Sequence, residues 1–234
     1  MRPRLFALAI LALLAACQSQ TVPETSPADA PAGWPGFDFA GAAAAGAPVF
    51  QLIPERSRID IVVRREGPLA RFGHDHAISV RKAAGFILLG ETPAESALAE
   101  LRFRVDDLAI DTAELRARYT LDTKPDAADI EATRENLLEK VLEAGRWPYI
   151  SIRMSDFRLE GEAYSALVET LVRGSVSSKR QVFQLVSEDG GVTARGSLTI
   201  RQSELGIEPF SVLGGGLRVA DPMEVHFILR GNPL

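Results

Sequence analysis

The sequence predicts an all-β protein of about eight antiparallel strands, arranged as a closed barrel or a sandwich. After residue 49, apolar side chains recur at every second position in several short runs, as in strands with one buried face. Glycine, proline, aspartate or serine bounds each run, and these residues favour turns. One segment has helical spacing instead. Many short strands separated by turns are typical of barrels and sandwiches.

Residues 1–17 have the composition of a lipoprotein signal peptide. Two arginines precede an apolar run, Leu5 to Leu14, that is too short to stay in a bilayer as a spanning helix. The run ends in Leu-Ala-Ala-Cys, which resembles a bacterial lipobox with Cys17 as the lipidated first residue of the mature chain. An ordinary signal peptide with an incidental cysteine is the alternative. Acylation is favoured because Cys17 is the only cysteine, and an exposed free thiol would be a liability in a secreted protein.

Residues 18–48 are predicted to be a disordered tether, because a Pro-, Ala-, Gly- and Ser-rich segment without periodicity buries little apolar surface. Trp34, Phe37 and Phe39 interrupt this composition. They either dock on the domain or at the lipid interface, or belong to a loose chain. Gln18 stands where an inner-membrane retention aspartate would be found in enterobacteria-like sorting, which favours the outer membrane. We therefore expect a periplasmic protein, lipid-anchored at the outer membrane.

The strands of the folded part have apolar residues that alternate with polar ones. The clearest runs are Ile59-Ile61-Val63, Leu101-Phe103-Val105, Ile150-Ile152-Met154, Leu198-Ile200 and Met223-Val225-Phe227-Leu229. Shorter apolar runs lie at 86–89, 167–172 and 182–186. The side chains expected to face inward include Ile61, Val63, Phe86, Leu101, Phe103, Ile152, Val225 and Phe227. They either line a hollow apolar tube or fill the barrel as a solid core.

The one predicted helix covers about residues 130–144. Its apolar residues are Ile130, Leu137, Leu138, Val141 and Leu142, at helical spacing. Asp126 precedes the segment, Gly145 follows it, and Pro148 prevents its continuation. We expect the helix to pack as a lid or plug against one end of the barrel.

The seven-residue segment Ala70-Arg71-Phe72-Gly73-His74-Asp75-His76 holds two of the three histidines. In an extended chain His74 and His76 project from one face together with Phe72, and Asp75 projects from the other. Two imidazoles at this spacing could form half of a zinc or copper site. They could also hydrogen-bond the polar head of a ligand at a pocket mouth. The third interpretation is structural, with the histidines tying down a turn at the barrel rim.

Composition and missing motifs argue against several classes of function. The formal net charge of −5, with acids and bases interspersed, does not fit a nucleic-acid-binding protein. The chain has no Gly-x-Ser-x-Gly motif, no Gly-rich phosphate loop before a helix, and no cysteine available as a nucleophile. We therefore expect a protein that is not an enzyme and needs no cofactor.

Four segments, in order along the chain, resemble the YceI-like family of periplasmic lipocalin-like, polyisoprenoid-binding proteins. They are Gly73-His74-Asp75-His76, Trp147-Pro148-Tyr149-Ile150, the stretch Ser203 to Pro209, and the stretch Leu217 to Val225. The resemblance runs from about Val49 to Leu229, so residues 49–234 are expected to be one domain. Residues 175–180, where many relatives have a Gly-Val-Thr-Arg-like turn, depart from the family pattern.

The resemblance implies a lipocalin-like barrel of about eight strands whose interior holds one elongated apolar ligand. It implies as partner an isoprenoid lipid or quinone, held by a protein anchored to the membrane. The residues expected to bind it are Phe72, His74, His76, Phe86, Phe103, Ile152 and Phe227. The alternative function is a metal-binding or quinone-linked redox protein that uses His74 and His76. A scaffold protein without a ligand, and a homodimer, are left open by the sequence.

Overall fold

A computed structural model describes residues 34–90, 97–188 and 190–234. Cys17, the lipobox and residues 18–33 of the expected tether lie outside the described residues. Within the described ranges, the helices are too short or too polar to cross a membrane.

The described chain is mainly β-sheet. Its strands are β1 (Val49–Leu52), β2 (Arg58–Glu66), β3 (His76–Val80), β4 (Ala83–Leu88), β5 (Leu98–Arg104), β6 (Leu108–Ile110), β7 (Tyr149–Glu160), β8 (Ala163–Val172), β9 (Ser175–Glu188), β10 (Gly191–Arg201), β11 (Ser211–Val212) and β12 (Leu217–Pro233). Its helices are α1 (Phe39–Ala44), α2 (Ala113–Arg118) and α3 (Ala127–Glu135). The expected all-β class is confirmed.

Eight antiparallel strands close into a barrel in the order β1-β4-β5-β7-β8-β9-β10-β12. The ring closes because the end of β12 pairs with β1, where Gln51 lies opposite Asn232. This confirms the expected lipocalin-like barrel of about eight strands. Because β1 and β12 pair with each other, each of the eight barrel strands has a hydrogen-bonded neighbour on both sides over at least part of its length.

Strand β12 is long enough to pair with two strands along one edge. Beyond the part that pairs with β1, the same edge of β12 pairs with β2, and β2 continues through β3 to β6. Val225 lies opposite Ile61 and Met223 opposite Val63, with a register shift between Val219 and Met223. The strands β2, β3 and β6 therefore form a wing that widens one end of the barrel.

Helix α3 covers this widened end. Asp126 caps it through a reciprocal pair of hydrogen bonds with Asp129, and one π-helical stretch, Asn136–Val141, extends it. The guanidinium of Arg134 donates to the backbone oxygens of Leu108 and Asp106, which ties the helix to β6. The apolar residues Leu137, Leu138, Val141 and Leu142 pack against the barrel core. The predicted helix at the barrel end is confirmed, beginning and ending about three residues earlier than expected.

Two of the segments that carry the family resemblance lie side by side. The carboxylate of Asp221 accepts hydrogen bonds from the backbone nitrogen and the hydroxyl of Ser203, both at 2.8 Å. The buried amide of Gln202 donates to the backbone oxygen of Ala220 at 2.9 Å. These bonds fix the end of β10 against β12 beside the widened end of the barrel.

The structure differs from the expectation of a disordered tether in residues 34–48. Phe39, in α1, is only 2% exposed and stacks on Phe86 of β4 with ring centroids 5.3 Å apart. The backbone nitrogen of Gly36 donates to the carboxylate of Glu100 at 2.6 Å. Burying an aromatic ring offsets the entropy of ordering such a short segment. The folded domain therefore begins no later than Trp34.

Candidate functional site

The interior of the barrel is divided into a packed half and a hollow half. Large and small side chains fill the packed half, among them Leu52, Ile87, Leu101, Phe157, Ala166, Phe183, Ala194 and Leu229. The hollow half is a cavity of about 400 Å³ between the wing, β5, β7, β12 and helix α3. This volume falls in the range of small-molecule sites, roughly 300–1,000 Å³. The sequence left open whether the barrel is a hollow tube or a solid core. The structure has a cavity in one half of the barrel and a packed core in the other.

The wall of the cavity is apolar. Ile61, Val63, Phe103, Ile152 and Val225 line it, and all five were expected to face inward. Leu137 and Val141, in the π-helical stretch that follows α3, also line it. Alternation along each strand places these side chains on one face because the period of a strand is two residues.

Two residues expected to bind a ligand lie away from this cavity. Phe227 is inside the barrel but packs towards Phe183, and its ring would lie 2.8 Å from a Cβ at Gly196, so it fills the space that this glycine leaves. Phe86 was expected to face inward, and this is wrong. Its ring lies outside the barrel, against Phe39 and Trp34.

The cavity reaches the surface at a mouth formed by Arg65, Phe72, Val212 and Arg218. All four residues line the cavity, and the ring of Phe72 is 64% exposed. His74 and His76 lie on the cavity wall near Phe72, with their ring centroids 6.2 Å apart. All three side chains line the cavity, although Phe72 belongs to a 3-10 turn and not to the extended chain for which this projection was expected.

Asp75 lies on the opposite side of the segment, as expected from strand alternation. Its carboxylate accepts from the backbone nitrogen of Arg65 at 2.9 Å and from the Arg64 guanidinium at 3.2 Å. These bonds hold the histidine segment against β2. Asp75 is thus a structural residue, whereas the two histidines face the cavity.

His76 is bound to a buried carboxylate. Its Nδ1 lies 2.5 Å from Oδ2 of Asp111, whose side chain is fully buried. The other oxygen of Asp111 accepts from the backbone nitrogen of Ala77 at 3.0 Å and from Arg116 at 2.8 Å. Burial alone would raise the pKa of Asp111, but the hydrogen bonds from His76, Ala77 and Arg116 hold it below its ordinary value.

This arrangement fixes the tautomer of His76. An ionised Asp111 has no proton to donate, so Nδ1 of His76 carries the proton of their hydrogen bond. Nε2 is therefore an acceptor when the ring is neutral and a donor when it is protonated. Because His76 lines the cavity, this second nitrogen is available to a polar group of a ligand.

His74 connects the histidine segment to helix α3. Its Nε2 lies 3.5 Å from Oδ2 of Asp129, the residue that also completes the α3 cap. Its Nδ1 is buried and has no hydrogen-bond partner among the described residues. A buried polar atom without a partner is costly, so it favours a site that a ligand or water completes.

A metal site has weaker support from the geometry. The described residues contain no group of three or more His, Cys, Asp or Glu side chains placed to hold a metal ion. The third histidine, His226, lies outside the barrel. Its ring stacks on Tyr119 at 5.1 Å, and its Nδ1 is 2.9 Å from the Ser197 hydroxyl. It therefore cannot complete a site with His74 and His76.

Sequence reasoning did not identify Asp111, Arg116 or Asp129 as part of the site. Asp111 is 35 residues from His76 and has a positive φ of 50°, and it follows the very short strand β6. Aspartate tolerates this left-handed conformation better than most residues. The one sequence signal was an aspartate directly after an apolar run, which is common at any strand end.

Comparison with known proteins adds information on the fold. No protein-family model and no curated protein matches the sequence. Among solved structures, BcnA of Burkholderia cenocepacia superposes with a TM-score of 0.58 at 13% identity, covering 76% of this chain and 98% of BcnA. A polyisoprenoid binding domain from Saccharophagus degradans, implicated in plant cell wall breakdown, gives a TM-score of 0.54 at 8% identity. That match covers 80% of this chain and 99% of the domain.

The chain has the fold of these two proteins. The fold expected from the resemblance to the YceI-like family is therefore confirmed. A YceI protein of Campylobacter jejuni is a more distant likeness, with a TM-score of 0.49 and 10% identity over 67% of this chain.

Proposed function

We propose that this protein is a non-enzymatic carrier of the YceI-like family that binds an isoprenoid lipid, polyprenyl or quinone-like, in its barrel. The observation that carries the proposal is the combination of one apolar cavity with two imidazoles on its wall near the mouth. The barrel fold shared with a polyisoprenoid binding domain supports the same ligand class.

The apolar wall suits a branched hydrocarbon chain. Ile61, Phe103, Ile152 and Val225 present methyl groups and an aromatic face with no polar atom of their side chains. Removing an isoprenoid from water contributes about 25 cal/mol per Å² of apolar surface, without directional bonds. Such a wall selects for apolar character and shape rather than for one chemical identity.

The histidines suit the polar end of the ligand. A neutral His76 accepts from the hydroxyl of a quinol or a prenol through Nε2, and a protonated His76 donates to a quinone oxygen or a phosphate. The buried Nδ1 of His74 offers a second position for the same head group. The His76 ring, oriented by Asp111, can therefore hydrogen-bond a quinone or its quinol, and a prenol or its phosphate.

The carrier acts in the periplasm, held by lipid on Cys17, with the outer membrane as the favoured location. The support is in the sequence: the charged start, the short apolar run and the Leu-Ala-Ala-Cys ending before the folded domain. Several acyl chains, at about 0.8 kcal/mol per buried methylene, anchor such a protein stably.

The proposal is tested by extracting lipid from the protein purified from its native membrane and identifying it by mass spectrometry. A stoichiometric isoprenoid is expected in the wild type. The variant Ile152→Trp places a bulky ring in the cavity and is expected to lose that lipid, whereas Val176→Trp, at an exposed position on β9, should keep it. A wild-type protein that releases no isoprenoid, or an equal amount from both variants, would contradict the proposal.

A further inference from the structure

Two short turns stand side by side at the cavity mouth. They are the 3-10 turns Ala70–Phe72 and Leu213–Gly215. The backbone nitrogen of Leu69 donates to the backbone oxygen of Gly216 at 2.8 Å, which joins the two turns. A Cβ at Gly67 would lie 2.7 Å from the same oxygen, so the backbones approach closely here. The pair is thus a single structural unit, here called the tip.

The tip exposes large apolar side chains beside the cavity. Phe72 is 64% exposed and Leu213 is 71% exposed, while Val212 next to Leu213 is 39% exposed. Phe72 and Val212 also line the cavity, so its opening lies between the two turns. Contiguous exposed apolar residues at a functional opening indicate a surface that another apolar phase covers.

Leu213 is held outward by the backbone. Its φ is 54°, and Gly214 and Gly215 follow with φ of 63° and 86°. A branched residue such as leucine rarely adopts a positive φ, and it does so only where the surroundings enforce it. The three successive left-handed residues turn the chain sharply and place an apolar side chain at the turn.

Arg71 gives the tip itself a positive charge. The guanidinium of Arg71 lies 4.6 Å from the centre of the Phe72 ring, and no acidic partner of Arg71 is found in the described part of the chain. Arg218, also at the mouth, is paired with Glu66. An aromatic ring, an exposed leucine and an arginine with no acidic partner among the described residues match the interfacial residues that hold proteins on anionic bilayers.

From these contacts we infer that the tip docks on a phospholipid bilayer. Phe72 and Leu213 enter the interface between head groups and acyl chains, and Arg71 contacts lipid phosphate. The inference deepens the proposed function and rests on it, because the docked mouth lets an isoprenoid pass between bilayer and cavity. An isoprenoid tail that crossed water instead would be destabilised by about 25 cal/mol for each Å² of apolar surface that it exposed.

The experiment attaches an environment-sensitive fluorophore to single cysteines in the mature full-length chain. The labelled variants are Phe72→Cys and Leu213→Cys, and the control is Leu159→Cys. Leu159 is also apolar and 58% exposed, but it lies near the β7–β8 turn, at the end of β7 away from the cavity. The parent chain treated in the same way reports any label on Cys17. The vesicles contain phosphatidylethanolamine and phosphatidylglycerol, with or without brominated acyl chains.

Labels at 72 and 213 are expected to shift to shorter wavelength on adding vesicles and to be quenched by brominated lipid, several-fold more than the label at 159. Arg71→Glu, made in the Leu213→Cys chain, should weaken the shift. Equal responses at all three positions would overturn the inference, as would no response at 72 and 213. A blue shift without vesicles would also overturn it, since it indicates a second copy or another protein covering the tip. The fluorophore reports contact with the membrane. Its result is therefore independent of the lipid extraction that tests the proposed function.

Discussion

Nδ1 of His76 lies 2.5 Å from Oδ2 of Asp111, and this bond links the histidine segment at the mouth to a fully buried charge. Asp111 also accepts from the backbone of Ala77 and from Arg116, so one carboxylate joins the start of β3 to helix α2. The same residue supplies stability and determines which nitrogen of His76 carries a proton. Its two roles can be separated by experiment.

Asp111→Asn is expected to lower the free energy of unfolding by about 2–4 kcal/mol, because it removes the charged partner of Arg116, whose side chain is only 12% exposed. Asparagine has nearly the same shape and tolerates the positive φ at this position. Urea unfolding measures the change. The control is Asp122→Asn, an exposed carboxylate whose pKa is also lowered, chiefly by its hydrogen bond from Arg65. If Asp122→Asn lowered the free energy of unfolding as much as Asp111→Asn does, burial of the carboxylate would not be the cause.

Acid should destabilise the wild type more than Asp111→Asn. The folded pKa of Asp111 lies below its ordinary value of about 3.9, so its contribution is complete above that pH. It is lost as pH falls from about 4 through the folded pKa. Urea midpoints measured from pH 5 downward should therefore decline less steeply in Asp111→Asn than in the wild type. Parallel declines would show that the carboxylate has no depressed pKa.

His76→Asn is expected to weaken binding of ligands with a polar head while preserving the fold. The asparagine amide can still donate to Asp111 from about the place of Nδ1, but Nε2 is removed. Loss of one hydrogen bond to the head group costs about 1–2 kcal/mol, or roughly 5- to 30-fold in affinity. Competition binding should show this loss for a prenyl quinone or polyprenyl phosphate, and no loss for a hydrocarbon of equal length. His226→Asn, on the outer face, is the matched control.

The strand pattern predicted most of the barrel and the apolar wall of its cavity. Phe103 and Ile152 were placed correctly because polar residues on both sides fix which face is buried. Phe86 was placed on the wrong face because the run at 86–89 is apolar on both faces. What decides its orientation is Phe39, 47 residues earlier in the sequence, which covers the ring from outside.

The polar part of the site depends on contacts that sequence spacing does not encode. The pairing of His74 with His76 is local, and it could be predicted from strand alternation. The hydrogen bond between His76 and Asp111 and the 3.5 Å contact between His74 and Asp129 join residues far apart in the chain. They exist because β3 pairs with β6 and because α3 lies over the wing, and both are consequences of the tertiary fold.

Larger side chains should be accepted in the hollow half of the barrel and rejected in the packed half. Ile152→Phe adds volume towards the cavity, so we expect a change of less than about 1 kcal/mol in the free energy of unfolding together with weaker lipid binding. Ala166→Leu adds volume where the side chain is fully buried in the packed core, and should cost about 1–3 kcal/mol. Urea unfolding and extracted lipid measure the two effects. Equal destabilisation by both would argue that the cavity is closed in solution.

The segment before β1 should behave as part of the domain. Phe39→Ala removes a ring that is 2% exposed and stacked on Phe86, so it should cost about 3–5 kcal/mol in the free energy of unfolding. Phe37→Ala, at a half-buried ring that contacts Phe39 edge-on, should cost distinctly less. Urea unfolding of the two variants provides the comparison. If Phe39→Ala unfolded at the wild-type midpoint, residues 34–48 would be a tether after all, since a loose chain contributes no packing to lose.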